Sequence, residues 1–354
     1  MDSTLGTRLR ELSGPILITG HTGFKGSWLT LLLERLDVPV IGLSLPPEPD
    51  SLYARLERRG AIAESYIDIR NIASVREFIA IHRPSAIIHL AAQPLVLESY
   101  KLPRETFETN VMGTVNVLES SFITDSVRAV VVVTTDKVYK NDGVNKLFVE
   151  SDPLQGKDPY SASKVGVEAS VTAWQQIAKF SGGPKIISVR AGNVIGGGDW
   201  AKDRIFPDLI RAFATNTLVE IRNPSSTRPW QHVLDPLRGY LMALEAILRG
   251  VEIDVLNFGP DSESLSVRDV VEICRQNWSA PTLVEFTKGF SKEPLEAISL
   301  NLNSEEAKRI LSWSPNWSQE EAIVATIKWW KQVFSESVSP FKACQSDIDF
   351  LLSF

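Results

Sequence analysis

The sequence has few of the residues that build disulfide frameworks and metal sites. Its 354 residues include 2 cysteines and 4 histidines. Cys274 and Cys344 have no metal-ligand spacing, and the histidines are scattered along the chain. We therefore expect neither a disulfide scaffold nor a metal site, and the cysteine content is typical of a reducing compartment.

Long apolar runs and an excess of positive charge are also missing. No apolar run approaches the ~20 residues of a membrane-spanning helix, and the start, Met1-Asp2-Ser3-Thr4, lacks the apolar core of a signal peptide. These absences predict a cytoplasmic protein. The formal net charge of −6 argues against a nucleic-acid-binding surface, so an anionic ligand would have to meet a local basic pocket.

A glycine-rich turn stands near the beginning of the chain. Gly20-His21-Thr22-Gly23-Phe24-Lys25-Gly26 follows the apolar segment Pro15–Thr19, and the leucines at 29–36 then give a helical apolar face. Pro39–Leu45 has the composition of a second buried strand, so this region predicts a βαβ unit. In such a unit the glycines let the backbone approach a pyrophosphate at the helix N-terminus. By itself the motif also fits an ordinary flexible turn.

A second fragment, Tyr160-Ser161-Ala162-Ser163-Lys164, contains candidate residues for acid–base catalysis. If Pro159 begins a helix, Tyr160 and Lys164 lie one turn apart on the same face. A lysine ammonium and an oxidised nicotinamide would both favour the phenolate, which makes Tyr160 a candidate general base. The alternative is an exposed helix in which the two residues stand by chance.

Further apolar runs alternate with helical patterns, which predicts a doubly wound, mostly parallel α/β sheet of the Rossmann type with a smaller mixed substrate-binding lobe. The further predicted strands are Ser65–Ile69, Ser85–Ala91, Ala129–Thr135, Lys185–Arg190 and Leu256–Gly259. The further predicted helices are Ile72–His82, Thr106–Ile123, Asp235–Leu248, Val267–Trp278, Gln319–Phe334 and Gln345–Phe354. We place the dinucleotide-binding domain at residues 1–192 and about 232–260, and the interleaved substrate lobe at 193–231 and 261–354.

Ligands of such sheets collect at the carboxyl ends of the strands. That rule places Gly20, Asp68, Ala91-Ala92-Gln93 and Thr135-Asp136-Lys137 along one crevice. Asp136 could alternatively cap the turn after its strand. His89 is expected to be a strand residue that is satisfied by neighbouring backbone groups.

Several longer strings resemble those of one family. They are Gly20–Trp28, His89–Pro94, Thr109–Thr114, Arg190–Trp200 and Arg228–Val233. These strings are similar to those of the extended short-chain dehydrogenases that act on nucleotide sugars, and within them to the branch that dehydrates CDP-glucose. The resemblance covers most of the chain and implies an NAD cofactor and a nucleotide-sugar substrate.

The resemblance also implies roles for individual positions in cofactor binding. The implied residues are Gly20, Thr22, Gly23, Phe24, Lys25 and Gly26 at the pyrophosphate, Ser44 at the ribose, Asp68 and Ile69 at the adenine, Leu90, Ala91 and Ala92 on the nicotinamide ribose side, and Tyr160 with Lys164. Many relatives have an acidic residue for the ribose 2′-hydroxyl where this chain has Leu43-Ser44-Leu45. We therefore expect NAD to be used with weak discrimination against NADP.

An acid–base set follows from the same resemblance. Thr135 would bond the sugar 4-hydroxyl, and Tyr160 with Lys164 would perform the oxidation. Asp136 would protonate the 6-hydroxyl as it leaves, and Lys137 has the position of the base at carbon 5. The implied substrate-binding residues are Gln93, Asn193, Arg204, Arg222, Arg228 and His232, the last five around the nucleotide diphosphate.

Three of the residues in these strings also have a plainer interpretation. Arg228 could be a surface cation, although its place in a turn rich in proline and tryptophan favours planar recognition of a phosphate. Trp200 and Trp230 could simply pack. These alternatives are open at the level of the sequence.

The expected reaction is the NAD-dependent dehydration of CDP-D-glucose to CDP-4-keto-6-deoxy-D-glucose, a lyase reaction without net use of NAD. A nucleotide-sugar 4-epimerase is the alternative among enzymes, since it shares the Tyr160–Lys164 pair but does not need the Asp136–Lys137 pair. A non-catalytic NAD-sensing regulator is a third possibility, and the complete catalytic set argues against it.

The family analogy also suggests a homodimer. The amphipathic segments Thr106–Ile123 and Pro159–Phe180 would form its four-helix interface. A second copy of the chain and a nucleotide sugar are thus the expected partners.

Overall fold

Seven parallel strands form the central sheet in the computed structural model, which describes residues 5–143, 146–201, 204–261, 264–278, 282–287 and 300–353. The strands are β1 (Ile16–Thr19), β2 (Val40–Ser44), β3 (Ala63–Tyr66), β4 (Ala86–His89), β5 (Ala129–Val133), β6 (Lys185–Ala191) and β7 (Val255–Phe258). Their spatial order is β7-β6-β5-β4-β1-β2-β3. This is a doubly wound order that reverses between β1 and β4, so the predicted fold is confirmed.

Helices cover both faces of this sheet. Those of ten or more residues in the described chain are α1 (Phe24–Arg35), α2 (Ile72–His82), α3 (Gly113–Phe122), α4 (Pro159–Ser181), α5 (Ile205–Thr215), α6 (Leu234–Leu248), α7 (Val267–Asn277), α8 (Gln319–Ser335) and α9 (Pro340–Leu351). Helices α2, α3 and α4 bury their apolar side chains on one face. Helices α1, α6, α8 and α9 contribute to the larger core on the other face.

Short elements connect these helices and strands. The short helices are Thr7–Arg10, Leu52–Arg55, Val96–Lys101, Pro103–Phe107 and Glu305–Leu311, with a π-helical turn at Glu108–Met112 and a 3₁₀ turn at Asp136–Val138. Outside the sheet, the short strands are Leu147–Phe148, Val194–Ile195, Leu218–Arg222, Thr227–Arg228, Gln231–His232, Leu265–Ser266, Leu283–Thr287 and Asn301–Leu302.

Three predicted elements differ from the structure. The strand expected at Ser65–Ile69 begins at Ala63, and it is a half-exposed edge strand because it pairs on one side only. The helix expected over Thr106–Ile123 is interrupted by the π-helical turn. The last helix begins at Pro340 rather than Gln345, since Ser339 caps it and proline is favoured in a first turn.

The larger core joins segments that are far apart in the sequence. Trp28, Leu241 and Trp330 belong to the same buried cluster. The division of the chain into a dinucleotide-binding domain and a substrate lobe stays a prediction. Within the described ranges, the structure contains no helix long and apolar enough to cross a membrane.

Candidate active site

The glycine turn between β1 and α1 is built for close backbone approach. Gly20 has φ +77°, and a Cβ atom there would lie 2.8 Å from the amide nitrogen of Ala91. A Cβ atom at Gly26 would lie 2.1 Å from the Gly20 carbonyl oxygen. Helix α1 begins at Phe24 without a side-chain cap among the described residues. The amide groups of its first turn are therefore suited to bind the phosphates of a dinucleotide.

Hydroxyl groups stand where a ribose would follow, at the end of β2. The oxygens Thr22 Oγ1 and Ser44 Oγ are 2.7 Å apart, and Thr22 Oγ1 also donates to the Leu45 carbonyl at 3.0 Å. Asp68, expected at the adenine, is paired with Arg70, with 2.6 Å between Oδ2 and Nη2. The hydroxyl groups of Thr22 and Ser44 can form hydrogen bonds with a ribose and lack the negative charge that would repel a 2′-phosphate.

Ile69 contributes to the core through its side chain. It is 4% exposed, and a Cβ atom at Gly113 would lie 2.4 Å from Ile69 Cδ1. Its carbonyl oxygen accepts a hydrogen bond from Asn116 Nδ2 at 2.9 Å. The aliphatic side chain of Ile69 is therefore used for packing against α3.

His21 fills the space above a glycine of β2. A Cβ atom at Gly42 would lie 2.5 Å from His21 Cγ. The His21 Nε2 atom is 2.8 Å from Glu64 Oε2, and Glu64 also accepts a hydrogen bond from the Tyr53 hydroxyl. Burial lowers the pKa of His21 although the bond to Glu64 opposes this change. A neutral imidazole thus ties the glycine turn to β3.

His89 is a buried strand residue, as predicted, but the predicted backbone partners are wrong, because side-chain hydroxyls satisfy both ring nitrogens. Its Nδ1 atom is 2.6 Å from Thr19 Oγ1 and its Nε2 atom is 2.9 Å from Thr114 Oγ1. Burial lowers the pKa of His89 to about 3, and the charge of Lys164 acts in the same direction. His89 is a neutral structural residue in the strand.

Asn110, in the π-helical turn, connects the loop after β4 to the tyrosine helix. Its Oδ1 atom accepts from the Gln93 backbone N–H at 2.8 Å, and its Nδ2 atom donates to Ser163 Oγ at 2.8 Å. The Ser163 hydroxyl in turn donates to the Tyr160 carbonyl at 2.7 Å. The side-chain amide of Gln93, expected at the substrate, bonds to Thr106 Oγ1 and to Leu95 within its own loop.

Tyr160 and Lys164 lie on the first turns of α4, where Asp158 caps the helix. Burial raises the pKa of Tyr160 to about 12, although a hydrogen bond with Thr135 lowers it in part. The Lys164 Nζ atom donates to the Val133 carbonyl at 3.1 Å. Burial therefore favours the neutral phenol, and the expected phenolate would need the charge of a bound nicotinamide.

Asp136 is a buried acid beside this tyrosine. It is 3% exposed, and its Oδ1 atom accepts from Thr135 Oγ1 at 2.9 Å. A Cβ atom at Gly192 would lie 1.9 Å from Asp136 Oδ2, so the carboxyl group lies against the Gly192 backbone. Burial raises the pKa of Asp136 although the charge of Lys137 opposes it. The cap of the 3₁₀ turn is Thr135, so the interpretation of Asp136 as a cap is wrong.

Cations surround the acid and the tyrosine. Lys25 Nζ donates to the hydroxyl of Tyr240 at 3.3 Å. Burial and the charges of Lys164 and Arg204 lower the pKa of Lys25 to about 7, while Asp136 raises it. Arg204 Nη1 is 2.9 Å from Asp199 Oδ2. The charge of Arg228 is close enough to lower the pKa of Asp136. This concentration of positive charge suits a diphosphate ligand.

Three further residues were expected at the substrate, and the described structure gives other contacts for two of them. Asn193 has φ +35°, and its carbonyl accepts from the Gln231 amide at 3.3 Å. The side chain of Arg222 lies outside the described part of the chain. His232 is fully buried, with its ring 4.3 Å from that of Trp317 and its Nε2 atom 3.7 Å from Asp347 Oδ2. Direct contact between His232 and a ligand would require this cluster to open.

Trp200 and Trp230 pack against neighbouring aromatic rings. The Trp200 ring centroid is 4.9 Å from that of Trp330, and the Trp230 centroid is 5.5 Å from that of Phe206. The packing interpretation of both residues is therefore confirmed.

Comparison with known proteins identifies the family. The model of the "NAD dependent epimerase/dehydratase family" matches residues 16–259. The chain belongs to this family. It is 41% identical over 326 residues to the CDP-glucose 4,6-dehydratase of Salmonella typhimurium, covering 89% of this chain and 90% of that relative. It is 29% identical to the UDP-glucose 4-epimerase of Halalkalibacterium halodurans, over 87% of this chain and 93% of the relative.

Solved structures of other proteins share the fold. The dTDP-glucose 4,6-dehydratase from Streptomyces venezuelae with NAD and TYD bound has a TM-score of 0.77 at 22% identity, over 92% of this chain and 99% of that chain. The UDP-glucose 4-epimerase from Thermotoga maritima with UDP-glucose has a TM-score of 0.77 at 20% identity, over 91% and 100%.

Three residues that bear on the site of this family member escaped the sequence analysis. Asn110 belongs to the string Thr109–Thr114, but it was assigned no role from the sequence, because the π-helical turn that orients it has no periodic signal. Tyr240 contacts Lys25 across 215 residues of sequence. Gly192 accommodates Asp136 from the end of β6. Each contact depends on how strands assemble, which local patterns do not encode.

Proposed function

We propose that the chain is a hydro-lyase that converts CDP-D-glucose to CDP-4-keto-6-deoxy-D-glucose and uses NAD without net consumption. The observation that carries this function is the buried Asp136, whose pKa is raised by burial, beside Thr135 and Tyr160. The departure of a hydroxyl group requires a proton donor, and a raised pKa favours the protonated form of Asp136. The activity of the Salmonella typhimurium relative supports CDP-glucose as the substrate.

The cofactor cradle agrees with this function. Bound NAD supplies the acceptor and donor of the electron pair that moves from carbon 4 to carbon 6. The turn that contains Gly20 and Gly26 would hold its pyrophosphate. A side chain at either position would collide with the backbone, so the close turn requires glycine at both. Thr22 and Ser44 would meet the adenosine ribose with their hydroxyl groups.

The catalytic side chains divide the proton transfers between them. Tyr160 takes the proton of the 4-hydroxyl as carbon 4 becomes a ketone, and Thr135 holds the same oxygen. The ketone acidifies the hydrogen at carbon 5, and Lys137, by its position, takes that proton. Asp136 gives its proton to the departing 6-hydroxyl, and water leaves. Carbon 6 is then reduced and a proton returns to carbon 5. Each placed acid or base contributes ~10²–10⁴-fold to the rate.

The diphosphate of the substrate would bind to the surrounding cations. Arg204 is held by Asp199 and carries a guanidinium that can bond two phosphate oxygens. Arg228 would approach from the short strand Thr227–Arg228. Arg222 and Asn193 stay proposals on the basis of their place in the family strings.

The proposed assembly is a cytoplasmic homodimer. Apolar side chains on or directly beside the π-helical turn, α3 and α4 are exposed, and Phe180 on α4 is 94% exposed. The others are Phe107, Met112, Ile123 and Ile177. A second copy packed on these helices would remove this apolar surface from water.

A 4-epimerase is the second candidate, because a 4-epimerase relative also aligns with most of the chain. The deciding experiment supplies CDP-glucose deuterated at carbon 4 with NAD. A dehydratase transfers the deuterium to carbon 6 of a 4-keto-6-deoxy product, which absorbs in alkali. An epimerase returns the deuterium to carbon 4 and forms no deoxy sugar. Return of the label to carbon 4 would refute the proposed function.

A further inference from the structure

Glu168 is a buried acid that the proposed mechanism does not use. It lies on α4 after Tyr160 and Lys164, and each of the three follows the last by one helical turn. Its side chain is 5% exposed. A buried carboxylate needs partners for all of its lone pairs, so its surroundings show what it holds in place.

The hydrogen-bond partners of Glu168 come from β6 and from the residue that follows β5. Its Oε1 atom accepts from Thr134 Oγ1 at 2.5 Å and from Arg190 Nε at 2.9 Å. Its Oε2 atom accepts from Ser188 Oγ and from Arg190 Nη2, both at 2.9 Å. One carboxylate thereby fastens α4 to both β6 and the end of β5.

Lys164 is attached to the same end of β5. Its Nζ atom donates to the Val133 carbonyl, which precedes Thr134. Thr135, at the reacting end of the crevice, follows directly. We propose that Glu168 is a positioning residue that keeps Lys164 in its ammonium form and fixes Tyr160 relative to Thr135 and Asp136.

The charges around Lys164 explain why such a residue is needed. Burial lowers the pKa of Lys164 to about 8, and the carboxylate of Glu168 opposes this change. The charge of Lys164 contributes to lowering the pKa of Lys25 on α1 and of His89 on β4, after burial in both cases, so these two basic neighbours carry less positive charge beside it. Arg190, from β6, faces Glu168 and offsets part of its charge. Glu168 therefore favours the ammonium that helps Tyr160 to ionise.

The test is the pH dependence of turnover in Glu168→Gln, which keeps the shape and removes the charge. The oxidation needs the Tyr160 phenolate and the Lys164 ammonium, so the rate falls on the alkaline side as Lys164 loses its proton. In the profile of rate against pH, this fall at high pH is the alkaline limb. We expect it to lie at least about one pH unit lower in Glu168→Gln than in the wild type. Glu168→Asp retains the charge and should keep the limb of the wild type.

Ser188→Ala is the matched control. It removes one hydrogen bond from the same carboxylate and leaves the charge, so it should lower the melting temperature without moving the limb. An unchanged limb in Glu168→Gln would overturn the inference and leave Glu168 with a structural role. If Glu168→Gln does not fold because Arg190 is left unpaired, Glu168→Gln/Arg190→Met is compared with Arg190→Met, so that the two proteins differ only in the charge at position 168. The limb of the double variant should then lie at lower pH than that of Arg190→Met, and equal limbs would overturn the inference.

The inference rests on the proposed function only through the oxidation step. The profile is measured with a nucleotide sugar that the wild type oxidises, and this step is common to a dehydratase and an epimerase. Absence of a deoxy product would refute the dehydratase, whereas an unmoved alkaline limb would refute the role of Glu168. The two failures are therefore distinguishable.

Discussion

Replacement of Asp136 by asparagine separates oxidation from elimination. Asparagine has the size of aspartate, so it fits against Gly192, and its Oδ1 atom can still accept the hydrogen bond from Thr135. It has no proton to give to the leaving hydroxyl. We expect elimination to slow by ~10²–10⁴-fold while the oxidation at carbon 4 continues.

The assay is single-turnover absorbance with CDP-glucose and NAD. The reduced-nicotinamide band should rise and persist in Asp136→Asn, whereas in the wild type it should rise and decay. The matched control is Asp235→Asn, since Asp235 is also fully buried, and burial raises its pKa to about 7. Asp235 bonds to the amide of Asn316 and should leave turnover unchanged. Wild-type turnover in Asp136→Asn would refute the assignment of the acid.

The same substitution also tests the raised pKa of Asp136 through stability. Because the pKa is higher in the folded than in the unfolded chain, the folded state holds the proton more tightly. This contribution is complete below the unfolded pKa and is lost as the pH rises through the folded pKa. The melting temperature of Asp136→Asn relative to the wild type should therefore increase from acidic to neutral pH. A constant difference would contradict the buried-acid interpretation.

Three further expectations follow from the site and the helices. Tyr160→Phe should lower turnover by more than ~10²-fold with little effect on stability, and activity within a few-fold of the wild type would reject Tyr160 as the base. Because Thr22 and Ser44 present hydroxyls, and no carboxylate, at the proposed ribose position, calorimetry should find NADP bound less than ~1000-fold more weakly than NAD. A larger ratio, about 4 kcal/mol, would contradict this. Phe180→Asp should convert the proposed dimer to a monomer in light scattering, and a monomeric wild type at micromolar concentration would refute the dimer.

The glycine turn after β1 and the start of the tyrosine helix could be predicted from the sequence, because each depends on residues that are close together in the chain. The glycine turn requires a positive φ at Gly20 and close packing at Gly26, and both requirements are visible in residue type. The helix with Tyr160 and Lys164 begins at a proline after a capping aspartate, which is a signal confined to a few residues.

Properties that depend on distant partners were not predictable in this way. The pKa of Lys25 falls because the fold buries it and also brings Lys164 and Arg204 to it, and the pKa of Tyr160 rises because the assembled site is buried. His232 was expected at the substrate from a string resemblance, but α9 brings Asp347 to its ring and encloses it. The type of a residue does not determine which distant side chains it will contact in the folded chain.

The placement of the His21 ring above Gly42 limits the order in which this chain could have changed during evolution. The clearance between a β-carbon at position 42 and the ring is only 2.5 Å. Alanine at 42 is therefore accessible after His21 has become a small residue, whereas the opposite order passes through a collision. The two positions should show strong epistasis, so that a double-mutant cycle over His21→Gly and Gly42→Ala is far from additive.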